Sequence, residues 1–249
     1  MNQRDNLLKG KLDRWYEQVN RSEFCRDDPV QFPHRYARRE DVEIAAFLAA
    51  TIAWGRRELI LRSAERMFAL MQPSPFDFVM AGGERRLTDR CVHRTFFEGD
   101  LGYFCRGFRY CYETYGSLEA LFASAGPLWE GIALFRETMA AGNGGAYTKH
   151  IANPGHTARP GSACKRINLA LRWLARREGP VDLGLWKSIS PASLYIPLDL
   201  HTARSARKLG LLERASNDRK AVVLLTEELR RFCPEDPVRY DLALFGMSL

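Results

Sequence analysis

The chain has 249 residues, 46% of them apolar and 27% charged, with 37 Lys and Arg against 30 Asp and Glu for a net charge of +7. That length supports a hydrophobic core without disulfide or metal staples, and no run approaches the ~20 apolar residues of a membrane span. Disordered and transmembrane classes are excluded, and the basic balance directs attention to anionic partners. The first residues, MNQRDNLLKGKLDRW, alternate charge with leucine and lack the apolar core of a signal peptide, so a cytoplasmic protein is expected. Six cysteines without a C-x-x-C pair predict reduced, buried thiols and no metal site.

Apolar residues recur at helical spacing almost throughout, and no stretch of strict alternation stands between turn signals, so the fold class is all-α. Leu8, Leu12, Trp15 and Val19 form the first stripe. Asp41 opens an apolar helix through Ile52, Gly55 interrupts it, and a second helix runs over 57–71. Ser74 before Pro75 is an N-cap with proline at the first helical position, and Gly82 and Gly83 stop that short helix. Asp100 is expected to cap the next, which Gly116 ends; Ser117 and Pro127 open two more, the latter ending at Gly142. Residues 143–160, rich in Gly, Pro, Asn, His and Thr, form the longest irregular stretch, in which His150 and His156 are expected to be exposed. Helices resume over 162–177, 199–209, 217–232 and 236–247.

Most of the chemistry lies in two segments, RPGSACKRINLAL over 159–171 and IPLDLHTARSARKLG over 196–210. The first is a tight glycine turn feeding a helix N-terminus, where unpaired N–H groups and basic side chains can meet phosphate. The second puts Asp199 at the start of a helix that carries Arg204, Arg207 and Lys208. Read alone, Asp199 is equally a plain N-cap and Lys165 a solvated helix residue.

Together these segments resemble the helix-hairpin-helix DNA glycosylase superfamily. PLDLHTARSARKLGLL is similar to the stretch in which a catalytic Asp begins an Arg-rich helix, and PGSACKRINLAL to the hairpin whose following helix carries a Schiff-base lysine in bifunctional members. The likeness spans the chain from about Arg39 onward, with recognisable motifs from Arg159 to Leu212. It departs at Ala163, where the hairpin usually has a second glycine, and in the 34-residue separation of Lys165 from Asp199. That separation is nearest the archaeal 8-oxoguanine glycosylase branch, and VDLGLWKSISPASLYI resembles a related bacterial family of uncharacterised helical proteins.

The resemblance implies two helical subdomains with a central cleft, one over 38–180 ending in the hairpin, the other from 1–37 plus 181–249. Lys165 and Asp199 would face each other across that cleft. It further implies a monomeric, cofactor-free enzyme on double-stranded DNA, with no membrane partner. Asp199 and Lys165 would be catalytic; Gly161, Ser162, Ala163, Arg166, Arg204 and Arg207 would bind DNA; Trp54, Trp173 and Phe245 would form the base pocket. The expected activity is excision of a flipped base, either 8-oxoguanine-like in DNA repair or a bulky modified pyrimidine of phage DNA in antiviral defence, with AP-lyase activity in addition if Lys165 acts as nucleophile. The alternatives are a non-catalytic helix-hairpin-helix DNA-binding protein, and a helical protein that binds RNA or another protein.

Overall fold

The computed structural model describes residues 3–156 and 159–247, so residues 157 and 158 of the expected irregular stretch lie outside the described residues. The chain is mostly helical. In order it forms α1 (Gln3–Val19), α2 (Ser22–Arg26), α3 (Arg39–Ile52), α4 (Arg57–Ala69), α5 (Pro75–Met80), β1 (Cys91–His93) and β2 (Phe96–Phe97). There follow α6 (Glu98–Tyr115), α7 (Leu118–Ser124), α8 (Leu128–Ala141), β3 (Gly155–His156), β4 (Arg159–Pro160) and α9 (Lys165–Ala175). The chain closes with α10 (Leu200–Lys208), α11 (Arg219–Arg230) and α12 (Tyr240–Gly246). Both β pairs are small antiparallel hairpins, Cys91 opposite Phe97 and Gly155 opposite Pro160, which alternation over two or three residues is too short to announce.

Two compact units result: a continuous one, Cys25–Asn153, and a discontinuous one, Met1–Phe24 with Pro154–Leu249. The expected boundaries at 38 and 180 are thereby corrected. The hairpin and Lys165 belong to the same unit as Asp199, because α9 packs its apolar stripe (Ile167, Ala170, Leu171, Leu174) into that unit's core. The two residues therefore do not face each other across the boundary between units.

In the continuous unit Phe47 of α3 stacks on Phe135 of α8 at 4.9 Å and on Phe122 of α7 at 5.9 Å. Glu43, fully buried on α3, accepts from the Leu118 N–H and the Tyr112 hydroxyl and so holds the first turn of α7. Two end signals work as the sequence suggests. Ser74 Oγ accepts from Asp77 N at 3.1 Å, and Ser117 Oγ from Ala120 N at 3.0 Å. Asp100 does not cap α6. The helix starts two residues earlier, and Asp100 at its third position accepts from Phe97 N at 2.9 Å. His150 is buried instead of exposed, its ring 5.0 Å from Phe96 and its Nε2 3.3 Å from Asp100, whereas His156 is exposed.

Of the six free cysteines, Cys105, Cys111 and Cys164 are buried, Cys25 and Cys233 half-buried and Cys91 exposed, which corrects the expectation for the last three. Burial pushes the Cys105 and Cys111 thiols up to about 12. No described helix is long and apolar enough to cross a membrane. Among the described residues no group of three or more His, Cys, Asp and Glu side chains is placed to hold a metal ion.

Candidate active site

The discontinuous unit brings together two chain segments that begin helices. Before α10, Ile196, Pro197 and Leu198 are buried and the Ile196 N–H donates to Thr226 Oγ1 at 3.2 Å, which anchors the approach to Asp199. Asp199 then caps α10: its backbone is extended (φ −114°) and its Oδ1 accepts from Thr202 N at 2.8 Å. Its other oxygen, Oδ2, lies 3.6 Å from Lys165 Nζ. Lys165 is the first residue of α9, so an amine and a carboxylate from 34 residues apart meet beside two helix N-termini. Both side chains keep solvent access, at 30% and 25% exposure, so a reactant can reach the pair.

The turn that delivers Lys165 is fastened by backbone. Gly161 O accepts from Arg219 N at 3.0 Å, Ser162 pairs with Asp218, and Ser162 Oγ accepts from Cys164 N at 3.2 Å. Cys164 precedes α9 in the left-handed region (φ +46°), a conformation that costs a non-glycine residue about 1–2 kcal/mol. The buried Asn168 amide donates to Ala163 O at 3.0 Å, locking the strained turn onto the helix it feeds. Ala163, where the resembled hairpin has glycine, is itself buried.

The other expected site residues divide. Gly161 is half-buried and Ser162 exposed, in the turn that leads into α9. Arg166 is half-buried, and burial lowers its pKa, so its charge is only partly hydrated. Arg204 points out to solvent with no side-chain partner among the described residues. Arg207 does not. It donates to Arg214 O, Ala215 O and Asn217 Oδ1 at 2.6 to 2.9 Å, bracing the loop before α11, and is spent as a phosphate ligand. Trp173 is 1% exposed inside the unit's core and offers no free ring face to a base. Phe245, half-buried on α12, meets Phe24 edge-on at 5.8 Å. Trp54 belongs to the continuous unit, half-buried, with the Arg94 guanidinium 5.4 Å from its ring centre and its carbonyl 2.9 Å from His93 Nε2.

Behind the pair lies a buried chain of charges that was not anticipated. Arg172 in the last turn of α9 and Arg176, the residue that caps its C-terminus, are 3% and 0% exposed. Arg172 bonds Asp241 of α12 through Nη1 and Asp182 through Nε at 3.1 Å. Arg176 bonds Asp182 at 2.7 Å, Asp236 at 2.8 Å and the Tyr16 hydroxyl at 2.5 Å. Burial works against the Arg176 charge, but Asp182 and Asp236 more than offset it and hold its pKa above the usual arginine range. For Asp241, burial pushes the carboxyl up to about 6; Arg172 opposes that rise, Asp199 adds to it and Lys165 opposes it. The signal was present in LALRWLARR: two arginines four apart on an otherwise apolar stripe require buried carboxylates.

Comparison with curated proteins and with solved structures finds no match. A protein-family match does cover most of the chain, taking in the hairpin, the amine–carboxylate pair and the buried charges behind it. Over residues 28–249 the chain belongs to the family described as "Protein of unknown function (DUF2400)".

Proposed function

We propose that this protein is a DNA N-glycosylase that removes a flipped base from duplex DNA. The observation that carries the reading is the solvent-accessible Lys165–Asp199 pair at the starts of α9 and α10, where the motifs of the resembled superfamily hold their catalytic groups. Breaking an N-glycosidic bond builds positive charge on the sugar, and Asp199 is the carboxylate that stabilises it. As Nζ bonds to C1′, its proton passes through Asp199 Oδ2, 3.6 Å away, to the departing base, so Asp199 is a carboxylate again while positive charge stands on the sugar. The C1′–N bond breaks with its electron pair leaving on the base. The backbone around Gly161 and Ser162, with Arg166 and Arg204, is the surface that meets phosphate. Phe245 on α12, half-buried in the same unit as the pair, is the aromatic residue assigned to stack on the base. The substrate is an 8-oxoguanine-like lesion or a bulky modified pyrimidine.

The test is base release, read by mass spectrometry, from oxidised duplex DNA and from modified phage genomes. Borohydride should trap a covalent protein–DNA adduct with the native chain and none with Lys165→Gln. Excision that survives Lys165→Gln and leaves an intact abasic site would assign the nucleophile to water. One observation favours a second reading: Asp199 makes an ordinary N-cap to Thr202, as a non-catalytic hairpin protein would need. Such a protein binds duplex DNA and releases no base from either substrate set.

A further inference from the structure

Asp241 is the carboxylate of the buried charge chain that touches Thr202 in the first turn of α10. It stands on α12, 6% exposed, with Oδ2 bonded to Arg172. Its Oδ1 lies 3.5 Å from the hydroxyl of Thr202, the same residue whose backbone N–H holds Asp199 at 2.8 Å. α12 packs directly on α10, so the carboxylate supports the first turn of the helix that Asp199 caps. Lys165 and Arg172 stand seven residues apart on α9, two turns along one face, and face Asp199 and Asp241 respectively. Two carboxylates and two cations thus alternate from the protein interior to its surface.

We propose that Asp241 is the positioning residue of the Lys165–Asp199 pair: it fixes the start of α10 through Thr202 and is electrostatically coupled to both surface members. The inference rests on the glycosylase reading only for its catalytic consequence. Asp241 binds Arg172 and the Thr202 hydroxyl, whereas Asp199 alone of the two carboxyls lies within 4 Å of the amine. Burial holds the Asp241 carboxyl above its ordinary range; Arg172 opposes that rise, Asp199 adds to it and Lys165 opposes it. Other charged groups around α12 are engaged elsewhere: Asp13 of α1 accepts from Tyr240, Arg239 pairs with Glu178, and Asp182 is shared by Arg172 and Arg176. The titration of Asp241 therefore reports on Lys165, Asp199 and Arg172.

The experiment is an NMR titration of the free protein with carboxyl-13C aspartate, in which Asp241→Asn identifies the Asp241 signal. The native midpoint is expected near pH 6. It should fall by about 1 pH unit in Asp199→Asn, where a repelling charge is gone, and rise in Lys165→Gln, where an attracting one is gone. If Asp241→Asn does not fold, the signal is identified as the one that moves oppositely in those two surface variants. A midpoint unmoved in both overturns the proposal, since a purely structural carboxylate would not sense them. On an excised substrate, Asp241→Asn should lower kcat about tenfold with little change in KM and remove the inflection near pH 6 from the rate profile; an unaltered profile overturns the proposal as well. A chain that releases no base but shows both shifts overturns the glycosylase reading and leaves the coupling intact.

Discussion

At Asp199 a single side chain carries two separable duties, because one oxygen caps α10 and the other faces the amine. Asparagine retains the capping oxygen and loses the charge. Asp199→Asn should therefore lower base release by roughly 10²–10³-fold, the loss typical of removing one transition-state-stabilising group, while moving the thermal midpoint little. Asp199→Ala should lose the same activity and about 1 kcal/mol of stability besides, read by urea unfolding. Near-normal turnover in the asparagine variant would remove Asp199 from the chemistry. Asp241 poses the opposite question, since its proton is held more tightly in the folded chain than in the unfolded one. Its contribution to stability is complete below the ordinary carboxyl value of 3.8 and is lost as the pH rises through about 6. The thermal midpoint of the native chain measured from pH 4 to pH 7 should carry that downward component, and Asp241→Asn should flatten it.

Among the elements, the helix contacts of the continuous unit depend on missing side chains. A Cβ on Gly107 of α6 would stand 2.6 Å from the Met139 sulfur and terminal methyl of α8. One on Gly142 would meet Arg106 O at 2.9 Å and Gly107 Cα at 3.0 Å. A methionine end can swing aside and a backbone cannot. Gly107→Ala should cost about 1 kcal/mol in thermal unfolding, and Gly142→Ala nearer the upper end of the roughly 1–3 kcal/mol range for overpacked sites. Local chemistry made many of these elements legible in the sequence. Ser74, Ser117 and Asp199 cap the helices they were expected to cap, and Gly116 adopts the left-handed conformation (φ +78°) its place after α6 requires. Asp100 misled because an acidic residue at the third helical position and one at the cap share the same sequence neighbourhood. The two hairpins were missed because strands of two or three residues have no periodicity to read.

On the scale of the whole molecule, the discontinuous unit is held by its buried ions as well as by its apolar core. Arg176→Met should leave Asp236 and Asp182 short of a cation and destabilise the chain by about 3–5 kcal/mol, measured by urea unfolding. The glycosylase reading assigns the exposed Arg204 and the turn at Gly161 and Ser162 to backbone phosphates, so binding to duplex DNA should weaken steeply with salt and depend little on sequence. A flat salt dependence in a fluorescence titration would remove DNA as the partner.

The sequence by itself determined that the chain is helical, where most helices start and stop, and that Asp199 begins one; the helix expected from 162 starts only at Lys165. Those properties are set by residues within a turn of each other. Only the tertiary structure decided that the amine and the carboxylate lie 3.6 Å apart within one unit, that Arg207 is spent on its neighbouring loop and Trp173 on the core, and that Asp241 backs the pair from α12. Contacts between residues 34 to 69 positions apart depend on which helix faces share a core, and the spacing of residues along one helix does not encode the identity of the helix it will meet.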